Sequence, residues 1–408
     1  MTDAVVFDPF RPAGLPHPSP EAVAHGRRTA HHIRGRIEAQ GPIPFSDYME
    51  LCLNAPGLGY YTAGSAKFGP EGDFVTAPEI SPLFGRSVAR QVESVLELLG
   101  GGEILELGGG TGAFAESCLT ELSRRGANPR RYRILETSPD LRDRQRRRLG
   151  TLGVEWLDAI PEEPVDGVVF ANEVADALPV ERFRLTPERV ESLHVGLDAG
   201  GFRWVPRPAR SALRDHVRAV ERRLGRPLGP AGYESEWCPS LPGWLDAITF
   251  PLRRGLLLVF DYGYGEAEYY HPDRGQGTLG CHYRHRWHDD PLVLPALQDI
   301  TASVDFSALA RAGDAAGMDR VGFTTQAWFL IGCGVTDFLA ENGPDEDEPA
   351  TGRSVAVRRA ANAHAVRQLT LPGEMGERIR VLGLGRGLGE RAADGFAGFS
   401  GRRLDDRL

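Results

Sequence analysis

The chain has 408 residues, 41% hydrophobic and 25% charged, with a formal net charge of −9. That is a globular composition, long for one compact domain and short for three, and its negative balance disfavours nucleic acid as a partner. No apolar run is long enough to span a membrane, and five dispersed cysteines without a C-x-x-C pair argue for a reducing compartment and against structural zinc or a disulfide framework.

In chain order, residues 1–20 are proline-rich and read as a disordered arm. The pattern then predicts a basic helix over 22–39 and a second over 45–53, with Ser46 as its N-cap. A loop at 68–80 mixes Gly, Pro and acids and carries Asp73, Thr76, Pro78 and Glu79; loops of this kind commonly carry function. An amphipathic helix over 80–99 stops at Gly100-Gly101-Gly102. Residues 21–100 are read together as an N-terminal helical lid.

The organising stretch is 104–112. A short apolar strand ends in Glu106, and Gly108, Gly110 and Gly112 follow before a helix. Glycines let the backbone approach a ligand, and a helix N-terminus offers free N–H groups. The register is E-x-G-x-G-x-G rather than the dinucleotide G-x-G-x-x-G. An acid before the glycines repels a pyrophosphate and suits an ammonium, which argues against a dinucleotide oxidoreductase. The pattern resembles motif I of class I S-adenosylmethionine-dependent methyltransferases.

A second strand over 132–135 ends at Glu136, about 25 residues beyond the glycines, where an acid commonly meets ribose hydroxyls. The helix from Ser138 carries many arginines and reads as a solvated face. A third strand over 154–156 precedes Asp158. A fourth over 166–170 delivers Asn172, Glu173 and Asp176 to the strand end where open α/β sheets bind ligands. A β-hairpin add-on is expected near 188–206, a helix over 211–224 and a fifth strand over 256–260. Residues 266–315 read as a substrate-side insertion. A sixth strand over 322–325, helices at 328–339 and 355–369 and a last strand over 377–384 complete the core, and 386–408 reads as a mobile tail. The core therefore comprises 101–265 and 316–385. The fold class is α/β: a Rossmann-like class I methyltransferase fold with a mostly parallel seven-stranded sheet and helices on both faces.

Taken together, Gly57-Leu58-Gly59-Tyr60-Tyr61, 72–79, the glycine motif, Asn172-Glu173 with Asp176-Ala177-Leu178-Pro179, Asp261-Tyr262-Gly263, Gly277-Thr278-Leu279, His285, Asp299-Ile300-Thr301, Val304-Asp305-Phe306 and Met375-Gly376-Glu377 resemble the MidA family. Its mitochondrial members are complex I assembly factors, and protein arginine methylation is the activity attached to that branch. The resemblance implies S-adenosyl-L-methionine as cofactor. Glu106 and the glycine loop would hold its methionine end, Glu136 its ribose, Asp158 its adenine, and Thr76 and Pro78 its carboxylate. The chain departs from the family where two aromatics usually replace Val174-Ala175, Tyr replaces His282 and Gly replaces Ala296.

Methyl transfer needs an acceptor lone pair held in line with the methyl. A guanidinium is always charged, so carboxylates must orient it. Glu173 and Asp176, three apart, would share a face if a helix follows the fourth strand, with Asn172 beside them as the third candidate catalytic residue. Asp73, Glu79 and His285 are the candidate acceptor-binding residues. The triad of His282, His285 and His288 lacks a complete ligand pattern and lies among arginines, so no metal is expected. The acceptor is a protein, a peptide or a small molecule, and a non-catalytic assembly factor is the competing class. A homodimer and a cytoplasmic location, from the lack of an arginine-rich presequence, complete the expectations.

Overall fold

The computed structural model describes residues 9–10, 14–63, 75–339, 352–389 and 395–408, without the side chains of 352–355 and 358. Asp73 lies outside the described residues. The chain divides into two compact units, Met1–Phe74 with Ala175–Leu241 and Tyr264–Asp305, and Val75–Val174 with Pro242–Gly263 and Phe306–Leu408.

The second unit is built on strands β1 (Glu103–Leu107), β2 (Arg131–Leu135), β3 (Val154–Leu157), β4 (Val165–Asn172), β5 (Leu252–Tyr264), β6 (Asp319–Thr325) and β7 (Ile379–Arg386). They pair in the order β3-β2-β1-β4-β5-β7-β6, and β7 runs antiparallel to both neighbours. The expected sheet is therefore present. Its order reverses between β1 and β4, and ligands bind outside the carboxyl ends at such a reversal. The strands are near-continuous apolar runs because both faces are covered.

Rings fill this core in sequence. Phe114 stacks on Phe170 at 3.9 Å, Phe260 meets Phe329 at 5.0 Å, and Phe329 meets Phe399 at 5.3 Å. Phe399 corrects one expectation. The stretch 395–408, read as part of a mobile tail, packs down: Phe396, Phe399 and Leu404 are buried. Its backbone is tied in as well, by Leu404 N–H to the Phe323 carbonyl at 2.7 Å and by Gly398 N–H to the Gln91 side chain at 3.0 Å. Its few apolar residues showed no period, but Gly322 and Gly383 leave the space that the Phe399 ring fills.

The helix Pro82–Leu99 starts on Ser81, whose hydroxyl accepts from Leu83 N–H, and ends on a left-handed Gly100. It packs within the second unit rather than with the N-terminal helices, as does the helix Phe306–Ala315, which the expected insertion had included.

The first unit carries the helices Pro20–Gln40 and Phe45–Asn54. The second starts at Pro44 without a side-chain cap, so Ser46 is not its N-cap. The hairpin is present as Val190–Leu197 and Phe202–Pro208, and it belongs to a five-stranded antiparallel sheet with Ile43–Pro44, Glu181–Leu185 and Glu234–Trp237. The last two strands escaped sequence reading because they carry buried charge. Glu234 pairs with Arg182 at 3.0 Å across them, and Thr278 N–H holds the fully buried Glu236 at 2.8 Å. A smaller sheet joins Gly280–Tyr283, Arg286–His288 and Asp299–Thr301.

No described helix is long and apolar enough to cross a membrane. Ala296, where the resembled family usually has glycine, has φ +61°, a conformation that strains any residue with a Cβ. Ala296→Gly is expected to raise stability by about 1 kcal/mol, read as a higher denaturant midpoint. Phe399→Ala is expected to lower it by about 3–5 kcal/mol; an unchanged midpoint would mean that the tail is not part of the core.

Candidate active site

The apolar run of β1 ends at Leu107, and the chain then turns through Gly108 (φ +64°), Gly110 (φ +53°) and Gly112 (φ +86°). Side-chain-bearing residues are strained at all three. A Cβ on Gly108 would approach Val174 to 3.3 Å, while one on Gly110 would meet open space. Gly112 is the N-cap of the helix Ala113–Arg124 and provides no capping side chain. The first N–H groups of that helix are thus left to face a ligand.

Three other elements hold the turn. Gly108 N–H donates to the Leu135 carbonyl at 3.0 Å. Gln145 donates to the Gly110 carbonyl at 2.9 Å, and Arg148 to the Thr111 hydroxyl at 2.8 Å. That hydroxyl donates to Glu79. Glu79 thus secures the glycine loop. Thr76 and Pro78 lie at the start of the short helix Ala77–Ile80 that carries Glu79, with Thr76 as its N-cap.

Glu106 is buried on β1, and the Tyr132 hydroxyl donates to its Oε2 at 2.8 Å. Burial pushes its carboxyl up to about 8; the tyrosine bond partly offsets this, and nearby Glu136 adds to it. Glu136 is buried too. It accepts from Ser138 N–H at 2.9 Å and from Gln145 at 3.0 Å. The Ser138 hydroxyl beside it is buried with no partner among the described residues. Asp158 is exposed and paired with Arg142 at 2.7 Å, so it stands at the surface rather than in a recess.

At the end of β4, Asn172 donates to Glu173 Oε1 at 3.1 Å, while Asn172 Oδ1 is buried with no partner among the described residues. Glu173 has φ +52°, a strained backbone of the kind found at ligand sites. Asp261, fully buried on β5, accepts from Val174 N–H at 3.2 Å and Tyr262 N–H at 2.8 Å and fixes this turn.

No helix follows β4. A short 3-10 turn, Ala175–Ala177, carries Asp176, so Glu173 and Asp176 do not share a helix face, and the boundary between the units falls between them. Asp176 instead belongs with Tyr61 and Asp299. The Tyr61 hydroxyl donates to Asp299 Oδ1 at 2.8 Å, and burial with the charges of Asp299 and Asp176 drives that phenol well above its usual range. Sequence reading passed over Tyr61 and Asp299 as site residues; only their membership of quoted family stretches pointed to them.

His285 sits at an exposed hairpin tip with φ +58°, a turn position. In that hairpin His282 pairs with Trp287 and His288 with Cys281, so His282 and His288 point to opposite faces. Among the described residues no group of three or more His, Cys, Asp or Glu could hold a metal.

The family model described as "Putative S-adenosyl-L-methionine-dependent methyltransferase" matches residues 87–324. A solved structure from Burkholderia thailandensis, bound to S-adenosyl-homocysteine, is 40% identical with a TM-score of 0.87, over 97% of this chain and 100% of that one. This chain belongs to the MidA family of S-adenosyl-L-methionine-dependent methyltransferases. Curated relatives include the mitochondrial protein arginine methyltransferase NDUFAF7 of Danio rerio, 29% identical over 86% of this chain and 85% of that protein. The Drosophila melanogaster homolog of NDUFAF7 is 26% identical over 91% and 88%. These relatives are named as mitochondrial, which overturns the expected cytoplasmic location.

The cofactor of this MidA-family chain is S-adenosyl-L-methionine, and the residues present fit it. An uncapped helix start, open space at Gly110, and polar atoms on Ser138 and Asn172 without partners among the described residues all occur at or just past the carboxyl ends of β1, β2 and β4.

Glu106 gives this site a pH signature. Folding holds its carboxyl protonated up to about 8, whereas the unfolded chain loses that proton near its ordinary value. Its contribution to stability therefore falls as pH rises between those limits. Glu106→Gln is expected to gain stability over the cofactor-free parent at pH 8, on the order of a few kcal/mol at most. The gain should shrink toward pH 5, as thermal midpoints across pH would reveal.

Proposed function

We propose that the methyl acceptor is an arginine side chain of a protein. The observation that carries this is the match, over 86% and 91% of this chain, to relatives named protein arginine methyltransferases; Asp176 and Asp299, buried with the Tyr61 phenol in the first unit, are side chains of the kind that pair with a guanidinium. A guanidinium stays charged at any physiological pH and offers a planar fork of donors that carboxylates match. The names of the curated relatives support the same acceptor.

When bound, S-adenosyl-L-methionine supplies an activated methyl on a sulfonium. The glycine loop 108–112 takes its methionine end, with Glu106 behind the loop, and Glu136 with Ser138 takes the ribose. Asp158, exposed and paired with Arg142, is left with an outer place beside the adenine, and Thr76 and Pro78 flank the methionine carboxylate. Asp176 and Asp299 hold the guanidinium plane and spread its charge, and Tyr61 fixes Asp299. The acceptor nitrogen gains the methyl and gives up one proton, and the sulfonium leaves as the neutral thioether of S-adenosyl-homocysteine; at the end of β4, Asn172 orients Glu173 through their hydrogen bond.

The test is transfer of labelled methyl from the cofactor into lysate proteins, with mass spectrometry to locate it. Methylarginine is the expected product. Asp299→Asn should reduce transfer by about a hundredfold and leave S-adenosyl-homocysteine binding unchanged. Label in small molecules alone, or a transfer rate that Asp299→Asn leaves unchanged, would remove the arginine reading.

A further inference from the structure

The helix Pro139–Leu149 reads in sequence as a solvated basic face, yet Gln145 within it is fully buried. Both donors of its amide and its oxygen are engaged. The nitrogen donates to the Gly110 carbonyl at 2.9 Å and to Glu136 Oε2 at 3.0 Å, and the oxygen accepts from the Trp156 indole N–H at 2.9 Å. One side chain thereby joins the glycine loop after β1, the acid after β2 and the ring on β3. These are three parts of the site at the sheet's carboxyl edge, drawn from three separate strands.

We propose that Gln145 is the positioning residue that holds the glycine loop, Glu136 and Trp156 in one register for the cofactor. It touches none of the reacting atoms and acts through the groups it binds. Only an amide serves here. The position requires two donors on one side, toward a carbonyl and a carboxylate, and an acceptor on the other, toward an indole N–H. A carboxylate offers no donor, and an aliphatic chain of the same length leaves three buried polar groups unmatched. The helix supports the same frame from a second point: Arg142 donates to the carbonyls of Glu136 and Leu157, at the ends of β2 and β3. The inference rests on the assignment of the glycine loop and Glu136 to the cofactor.

The test is calorimetric titration of the full chain with S-adenosyl-homocysteine, at pH 5.5 and pH 8, for the parent, Gln145→Glu, Gln145→Met and Glu136→Ala. The charged groups around the amide are Glu136 and its neighbour Glu106 on adjoining strands, and Arg142, Arg146 and Arg148 on Gln145's own helix. At pH 8, Gln145→Glu places a second carboxylate against Glu136 and removes both donors. Affinity should fall by about tenfold to a hundredfold, relative to the parent at the same pH. At pH 5.5 the new carboxyl regains a proton and one donor, so the deficit should shrink. Gln145→Met should show a deficit that pH does not change.

A merely structural role would lower the thermal midpoint of both variants and leave the affinity ratio of Gln145→Glu between the two pH values as in the parent. That result would overturn the proposal, as would affinities within twofold of the parent in both Gln145 variants while Glu136→Ala loses binding. If Glu136→Ala binds as the parent does, the cofactor assignment itself is wrong. If Gln145→Glu fails to fold, Gln145→Met decides on affinity alone: a tenfold or greater loss supports the proposal, and an affinity within twofold of the parent while Glu136→Ala loses binding overturns it; if Gln145→Met fails to fold, the pH ratio of Gln145→Glu decides.

Discussion

At the end of β1 the backbone must enter the left-handed region three times in five residues, and the cofactor end of the molecule depends on that turn. Glycine removes the steric cost, but it also leaves the loop free to wander. What limits it is a set of hydrogen bonds from outside: the Leu135 carbonyl, the Gln145 amide, Arg148, and Glu79 through Thr111. Flexibility of composition is thereby combined with rigidity of place. The cofactor meets donors that are already oriented, so less ordering is needed when it binds.

Charge sits in two different settings in this chain. Glu106 is buried beside a phenol and held toward its neutral form. Asp176 and Asp299 are buried as a pair around a phenol of their own. The first arrangement conserves a compact wall behind the glycines. The second ties two distant stretches of the first unit together through the bond from Tyr61 to Asp299. Both keep a tyrosine hydroxyl as donor to a carboxylate, but they differ in what the surroundings leave for a ligand to do.

Much of the second unit was legible in sequence. Its strands are apolar runs ending in polar or glycine-rich turns, and that pattern survives without knowledge of partners. The acid-glycine register after β1 likewise announced its ligand. What stayed hidden depends on contacts between distant residues. Glu181–Leu185 and Glu234–Trp237 look like loop because their charges are matched only across strands. Gln145 is one polar residue among arginines until the fold turns it inward. The triplet spacing of Glu173 and Asp176 suggested a helix that the strained turn after β4 does not allow. Tyr61 and Asp299 are 238 positions apart, and no local pattern links them.

The division of the chain bears on how it comes to order. Strands β1 to β4 lie in one continuous stretch, Glu103 to Asn172, and pair as neighbours. Strand β5 pairs with β4 only after Ala175–Leu241 has left for the other unit. Closing a long loop costs entropy that grows with the logarithm of its length, and it must be spent before the new contacts return anything. The half-sheet from β1 to β4 has the shorter route to order. Its carboxyl edge already carries the glycine turn, Glu136 and Asn172, so a ligand for that edge could favour the half-sheet while the remaining strands are still being gathered.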